Sequence, residues 1–247
     1  MKLTVLGSGV LVPQAGHAPS CYFLEAGGKR LLFDAGSGSL QQLVRAGLDY
    51  RKIDAFFFSH LHPDHVHELP MFFVAAGLDK ANKAKRFTVF GPKGIKRFFA
   101  KCLDLYPFMK RLPVKTRFRE LADTSLRLGG VKVRSAIVQH TVGALAYRVE
   151  AGKKSFVFSG DSEDCLALRK LCWKADLAML ECSSPRKPFS GHLTALDCGA
   201  LASACGVKHL VLSHLYPASV KADVKGIVGK RFKGKIRVAR DFSVIPF

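Results

Sequence analysis

The chain has 247 residues, 48% of them hydrophobic, enough for one substantial core and with no run near the ~18 apolar residues that a membrane span needs. Its net charge of +20 is concentrated. Residues 80–119 hold thirteen Lys or Arg against one acidic residue and residues 221–240 hold eight against one, so 19 of the 20 charges fall in those two stretches. Seven scattered cysteines, an odd number with no C-x-x-C pair, argue against a disulfide framework and against a thiolate zinc site.

In chain order, the opening MKLTVLGSGV reads as a strand and a Gly-rich turn, not as a secretion signal. With reduced thiols, this predicts a cytoplasmic protein. Strand patterns follow at 3–6, 21–26, 30–35 and 55–59, then at 87–90, 131–138, 145–150, 155–160, 177–181, 209–213 and 236–239. Helical patterns lie between them at 37–47, 94–103, 194–206 and 219–228. The third begins with a capping pattern, Thr194-x-x-Asp197, and stops at Gly206. No linker or short repeat interrupts the chain, so residues 1–247 are read as a single α/β domain of sheets covered by helices.

The strand at 55–59 runs directly into SHLHPDHVHELP. In an extended segment His60 and His62 share a face, and Pro63 ends the strand. A helix starting there turns Asp64 and His65 another way. This gives two adjacent half-sites of nitrogen and oxygen donors, a set that Zn²⁺ accepts. His67 and Glu68 fall outside the alternation and are read as rim or supporting residues. Metal-competent side chains also end other strands: Asp34, His140, Asp161, Glu181 and His214. One such residue is usually a cap or turn former, but six coincidences, His60 included, argue against independent capping and for a site built on the loops at the strand ends.

These segments resemble the metallo-β-lactamase-fold hydrolases, and within them the ribonuclease Z-like branch. The resemblance is carried by LGSGVLVP (6–13), LLFDAGSG (31–38), SHLHPDH (59–65), QHTVGALAYR (139–148), FSGDS (158–162), LECSS (180–184) and the segment from GHLT to LSH (191–214). It implies a four-layer αβ/βα sandwich with two metals at one edge. By resemblance, His60, His62 and His140 hold one Zn²⁺, Asp64, His65 and His214 hold the other, and Asp161 bridges them. Mn²⁺ or Fe would suit the same ligands. Asp34 orients ligand histidines. Asp64 handles a proton of the attacking water, and the Glu181–His192 pair protonates the leaving oxygen. A homodimer is also implied.

The implied activity is a dinuclear zinc-dependent phosphodiesterase, with a metal-bridging hydroxide attacking a phosphodiester in RNA or a cyclic nucleotide. Two departures weigh against pre-tRNA processing. Only about ten residues, 149–157, stand where tRNA-processing members carry a long arm, and the branch's frequent H-S-T is H-L-T. Two other readings compete: a metallohydrolase of another ester, thioester or lactam, and a non-catalytic nucleic-acid-binding module. The basic stretches read either as a solvated surface or as one that gathers polyanions.

Overall fold

The computed structural model describes residues 1–82 and 86–247, so Lys83 and Lys85 of the first basic stretch lie outside the described residues. The first half of the chain forms β1 (Lys2–Gly7), β2 (Cys21–Ala26), β3 (Lys29–Ala35), β4 (Ala55–Phe57), β5 (Arg86–Gly91) and β6 (Lys115–Glu120). The second forms β7 (Thr124–Leu128), β8 (Val131–Ile137), β9 (Leu145–Ala151), β10 (Lys154–Phe158), β11 (Leu177–Glu181), β12 (His209–Ser213) and β13 (Lys235–Val238). A last strand, β14 (Val244–Pro246), returns to pair with β1. The two seven-stranded sheets run in the orders β14-β1-β2-β3-β4-β5-β6 and β13-β12-β11-β10-β9-β8-β7. In each, antiparallel neighbours give way to parallel ones: β3 to β6 in the first sheet, β10 to β13 in the second.

The sheets pack face to face through Phe33, Phe57 and Phe90 on one side and Tyr147, Phe156 and Phe158 on the other. Phe33 stacks on Phe57 at 5.2 Å and meets Phe156 edge-on at 5.7 Å. Each buried ring of this kind contributes roughly 1.5–3 kcal/mol. Tyr147 keeps its hydroxyl in the same core by donating to the Phe58 carbonyl at 2.6 Å, which ties the second sheet to the end of β4.

Helices cover both outer faces. Over the first sheet lie α1 (Ser39–Arg45), α2 (Pro63–Val66), α3 (Leu69–Leu78) and α4 (Ile95–Leu105), whose Leu43, Val66, Phe72 and Phe99 join one core cluster. Over the second lie α5 (Leu166–Cys172), α6 (Ala195–Ala204), α7 (Pro217–Lys221) and α8 (Val224–Gly229), with Leu168, Leu201 and Val228 in another. Helix, sheet, sheet, helix is the expected four-layer sandwich. No helix is long and apolar enough to cross a membrane.

Several elements depart from the sequence reading. The helical pattern at 219–228 is two helices, because Ala222 is extended and Asp223 caps the second by accepting from the Gly226 N–H. Helix α3 and strands β6, β7 and β14 had no matching pattern. The β9–β10 connection, where the long arm would stand, is a tight hairpin in which Ala151 pairs with Lys154.

A candidate two-metal centre at the sheet edge

Parallel strands carry their functional groups at their C-terminal ends, and these ends meet at one edge. Asp34 is the penultimate residue of β3, His60 follows β4, Asp161 follows β10, Glu181 ends β11 and His214 follows β12. His140 follows β8, whose direction matches that of β10 because each is antiparallel to β9. The HPDH corner folds as expected: His62 is extended, Pro63 opens α2, and Asp64 and His65 lie in its first turn.

The structure brings all seven sequence-predicted ligands together. His60, His62, His140 and Asp161 have donor atoms within 4.8 Å of one another, and so do Asp64, His65 and His214. Asp161 stands between the two sets. Its Oδ2 lies 3.7 Å from His60 Nε2, 3.5 Å from His65 Nε2, 3.7 Å from His140 Nε2 and 3.4 Å from His214 Nε2. Asp64 Oδ2 lies 3.4 Å from His214 Nε2.

Four of the imidazoles are held from behind. Nδ1 of His60 meets Ser59 Oγ at 3.0 Å, His65 meets Asp34 Oδ2 at 2.6 Å, His140 meets the Gly191 carbonyl at 2.9 Å, and His214 meets Ser183 Oγ at 3.1 Å. Against an acceptor carboxylate or carbonyl, Nδ1 carries the proton, so Nε2 turns its lone pair to the centre. Asp34 also accepts from the Ser59 N–H and hydroxyl, both at 2.7 Å.

The donor set fits divalent ions. His60 Nε2 and Asp161 Oδ1 are buried without a hydrogen-bond partner. His65 Nε2 faces His214 Nε2 at 3.2 Å, and His62 Nδ1 faces His140 Nε2 at 3.3 Å. Orphaned buried polar atoms are costly unless a cation reaches them, and facing imidazole nitrogens call for either a shared proton or a cation between them. Charge inside the cage follows burial and neighbours. Burial and the adjacent His65 hold His60 well below the usual histidine range. Burial also opposes ionisation of Asp161, but His214 and His65 outweigh it and keep this carboxyl well below the usual carboxylate range.

His192 and Glu181 form a pair beside the cage, His192 Nδ1 to Glu181 Oε1, at 2.9 Å. Glu181 also accepts from the Ser162 N–H at 3.0 Å and the Ser183 hydroxyl at 2.6 Å. Burial disfavours a charged His192, yet Glu181 prevails and raises its pKa. A cleft of about 310 Å³, lined by Leu11, Val12, His62, Asp64, His192 and Tyr216, opens onto the centre.

His67 and Glu68 lie at the rim. His67 Nδ1 meets Ser37 Oγ at 3.1 Å, and Glu68 accepts from the Gly38 N–H at 2.9 Å, so both pin the loop after β3. Reasoning from sequence missed Ser59, Ser183 and Gly191 as supports. The signals were the residues flanking the motifs: Ser59 beside His60, Ser183 two places after Glu181, Gly191 beside His192. Gly191 has φ +84°, and a Cβ there would stand 2.7 Å from His140 Nδ1, so only glycine admits the imidazole.

Comparison with known proteins agrees with this geometry. Residues 29–215 match the family model described as the beta-lactamase superfamily domain. The chain is 31% identical to a ribonuclease Z of Ligilactobacillus salivarius, over 100% of this chain and 98% of that protein. It is 28% identical to the "probable metallo-hydrolase YhfI" of Bacillus subtilis, over 97% of each. The crystal structure of that protein, called a metallo-beta-lactamase fold protein, superposes with a TM-score of 0.84 at 25% identity, covering 99% of this chain and 98% of that one.

Proposed function

The chain belongs to the beta-lactamase superfamily as a metal-dependent hydrolase, and from that premise we propose that it is a dinuclear zinc phosphodiesterase of the ribonuclease Z-like kind, acting on RNA or cyclic nucleotides. The observation that carries the reading is the central carboxylate of Asp161, placed among four Nε2 atoms from two triads and adjoined by the Glu181–His192 pair. His60, His62 and His140 would hold one ion, Asp64, His65 and His214 the other, with Asp161 between. When bound, two such ions activate water and neutralise the oxygens of a phosphodiester.

The chain's own residues supply the rest. Asp64, the most open carboxylate of the cage, accepts a proton from the attacking water. With Nδ1 committed to Glu181, His192 offers Nε2 toward the cleft, where it can donate a proton to the departing alkoxide. Phe189 packs on His192 at 4.4 Å between ring centroids and holds it in place. An alkoxide needs this proton to depart whereas a thiolate does not, so the pair favours cleavage at oxygen over opening of a thioester. The hairpin in place of the long arm supports substrates other than pre-tRNA gripped at its elbow. Free cysteines throughout support a cytoplasmic setting. Residues 1–247 are read as one catalytic domain, for which the family resemblance alone implies a homodimer.

The deciding experiment is a comparison of three substrates with zinc-loaded protein: a bis-aryl phosphate, a lactam and a thioester. Turnover of the phosphate alone, with two zinc ions per chain by elemental analysis, is the expected result. Preference for the lactam or thioester, or a firm stoichiometry of one or less, would overturn the reading.

A further inference from the structure

The inner face of the first sheet carries Phe33, Phe57 and Phe90 into the inter-sheet core. One strand further, the same face carries Arg117 and Arg119, because β6 pairs Arg117 with Thr88 and Arg119 with Phe90. Phe118 between them turns to the helices on the other face. The core therefore stops short of the sheet edge. Across the gap β7 contributes Leu126 and Arg127, and the edge of the sandwich opens into a cleft of about 380 Å³. Lys29 also lines it, but is paired with Asp54 at 3.1 Å. Arg117, Arg119 and Arg127 make no ion pair among the described residues.

We propose that this cleft binds the phosphate backbone of an RNA substrate outside the metal centre. The proposal rests on the phosphodiesterase reading and adds to it where the body of the substrate lies. Guanidinium groups present planar, paired donors suited to phosphate oxygens. Arg117 and Arg119, two residues apart on one strand, place their attachment points about 6.6 Å apart, a repeated charge for a repeating polyanion. The cleft is distinct from the pocket at the metal ligands: Lys29 and Asp54 line it at the start of β3 and just before β4, the strand ends away from His60, and β5 is the element that joins the two. Strand β5 passes along it at Phe90 and runs on to Pro92 and Lys93, which share a pocket of about 280 Å³ with His60 and His62. The second basic stretch does not belong to this path: β13 lies at the opposite edge of its sheet from β7. The competing account is that inward-facing arginines only protect an exposed strand edge from pairing with another copy.

The test uses the zinc-loaded protein, a labelled RNA oligonucleotide and a small bis-aryl phosphate. Arg117→Ala/Arg119→Ala should weaken RNA affinity about tenfold and lower the salt slope of log Kd by about 1.4, the share of two phosphate contacts on a single strand. Turnover of the small diester should stay within about twofold, since neither arginine touches the cage. Lys225→Ala/Lys230→Ala, on the other edge, should change RNA affinity far less. Unchanged RNA affinity and slope in the arginine variant, with self-association instead, would overturn the proposal in favour of edge protection. An equal loss from the lysine pair would overturn it in favour of a diffuse field. RNA binding is read separately from turnover, so failure to cleave any diester would count against the phosphodiesterase reading and not against the cleft.

Discussion

Asp34 and His214 are the two residues of the centre that hold left-handed backbone conformations without being glycine, at φ +53° and +54°. Such geometry costs of order 1–3 kcal/mol and persists where the surroundings over-determine it. Here three donors fix the Asp34 carboxylate and, through it, His65. Asp34→Asn keeps the size but sets an amide where an acceptor is required, so zinc affinity should fall about 10- to 100-fold, measured by competition with a chelating dye. Unchanged affinity would mean that His65 needs no orienting partner. His192 carries a different prediction, because the role proposed for it is at the leaving group. His192→Ala should keep both metals and lose about 10²- to 10⁴-fold on a substrate with an alkoxide leaving group. With a nitrophenolate, which departs unprotonated, the loss should be much smaller. Equal losses on the two would return His192 to a structural role.

Elements were legible in the sequence where an apolar run ended in a polar residue. The run from Ala55, the SFVF run before Asp161 and the LAMLE strand all appear, with their terminal groups at the site. The helix at 194–206 appears as α6, and its capping box is complete, with Thr194 and Asp197 each accepting from the other's backbone N–H. Among the elements that went unread are a strand and a helix whose sequences lack the alternation or period that marks burial on one face. KTRFRE has a single apolar residue, because β6 is an edge strand facing a polar cleft, and LPMFFVAAGL is apolar on all sides, so α3 shows no helical period. The supports of the site were equally hidden, since Ser59 and Ser183 act through single hydroxyls. His209 opens β12 opposite Lys235 of β13, and burial, then Lys235 and Arg237, push its pKa down to about 4. The unfolded chain therefore takes up a proton near pH 6.5 that the folded chain refuses until about pH 4. Stability associated with this group is full above pH 6.5 and is lost as pH falls through that window. His209→Leu should flatten the fall in denaturation midpoint between those limits; parallel curves for parent and variant would refute the assignment.

At the scale of the whole molecule the centre is a joint. His60, His62, Asp64 and His65 come from the end of β4 and from α2, on the first sheet, whereas His140, Asp161 and His214 follow strands of the second. Each triad draws on both sheets: His140 completes the set of His60 and His62, and His214 that of Asp64 and His65. Ions held there would cross-link the halves of the sandwich at the edge where Asp161 and His60 leave buried polar atoms unpaired. Any ligand bound only by the folded state adds stability by mass action, about 2.7 kcal/mol at a free concentration of 100 Kd. For a chain of this length that is a rise of roughly 5–11 °C in Tm. Calorimetry of the protein after chelation and after zinc is restored should show a shift of that size. Asp161→Ala should abolish most of it, because the variant removes the one carboxylate that both triads share. His209→Leu, remote from the cage in its chemistry, should keep it. An identical Tm with and without zinc would mean that the two sheets are held by their aromatic core alone and that the cage is no joint.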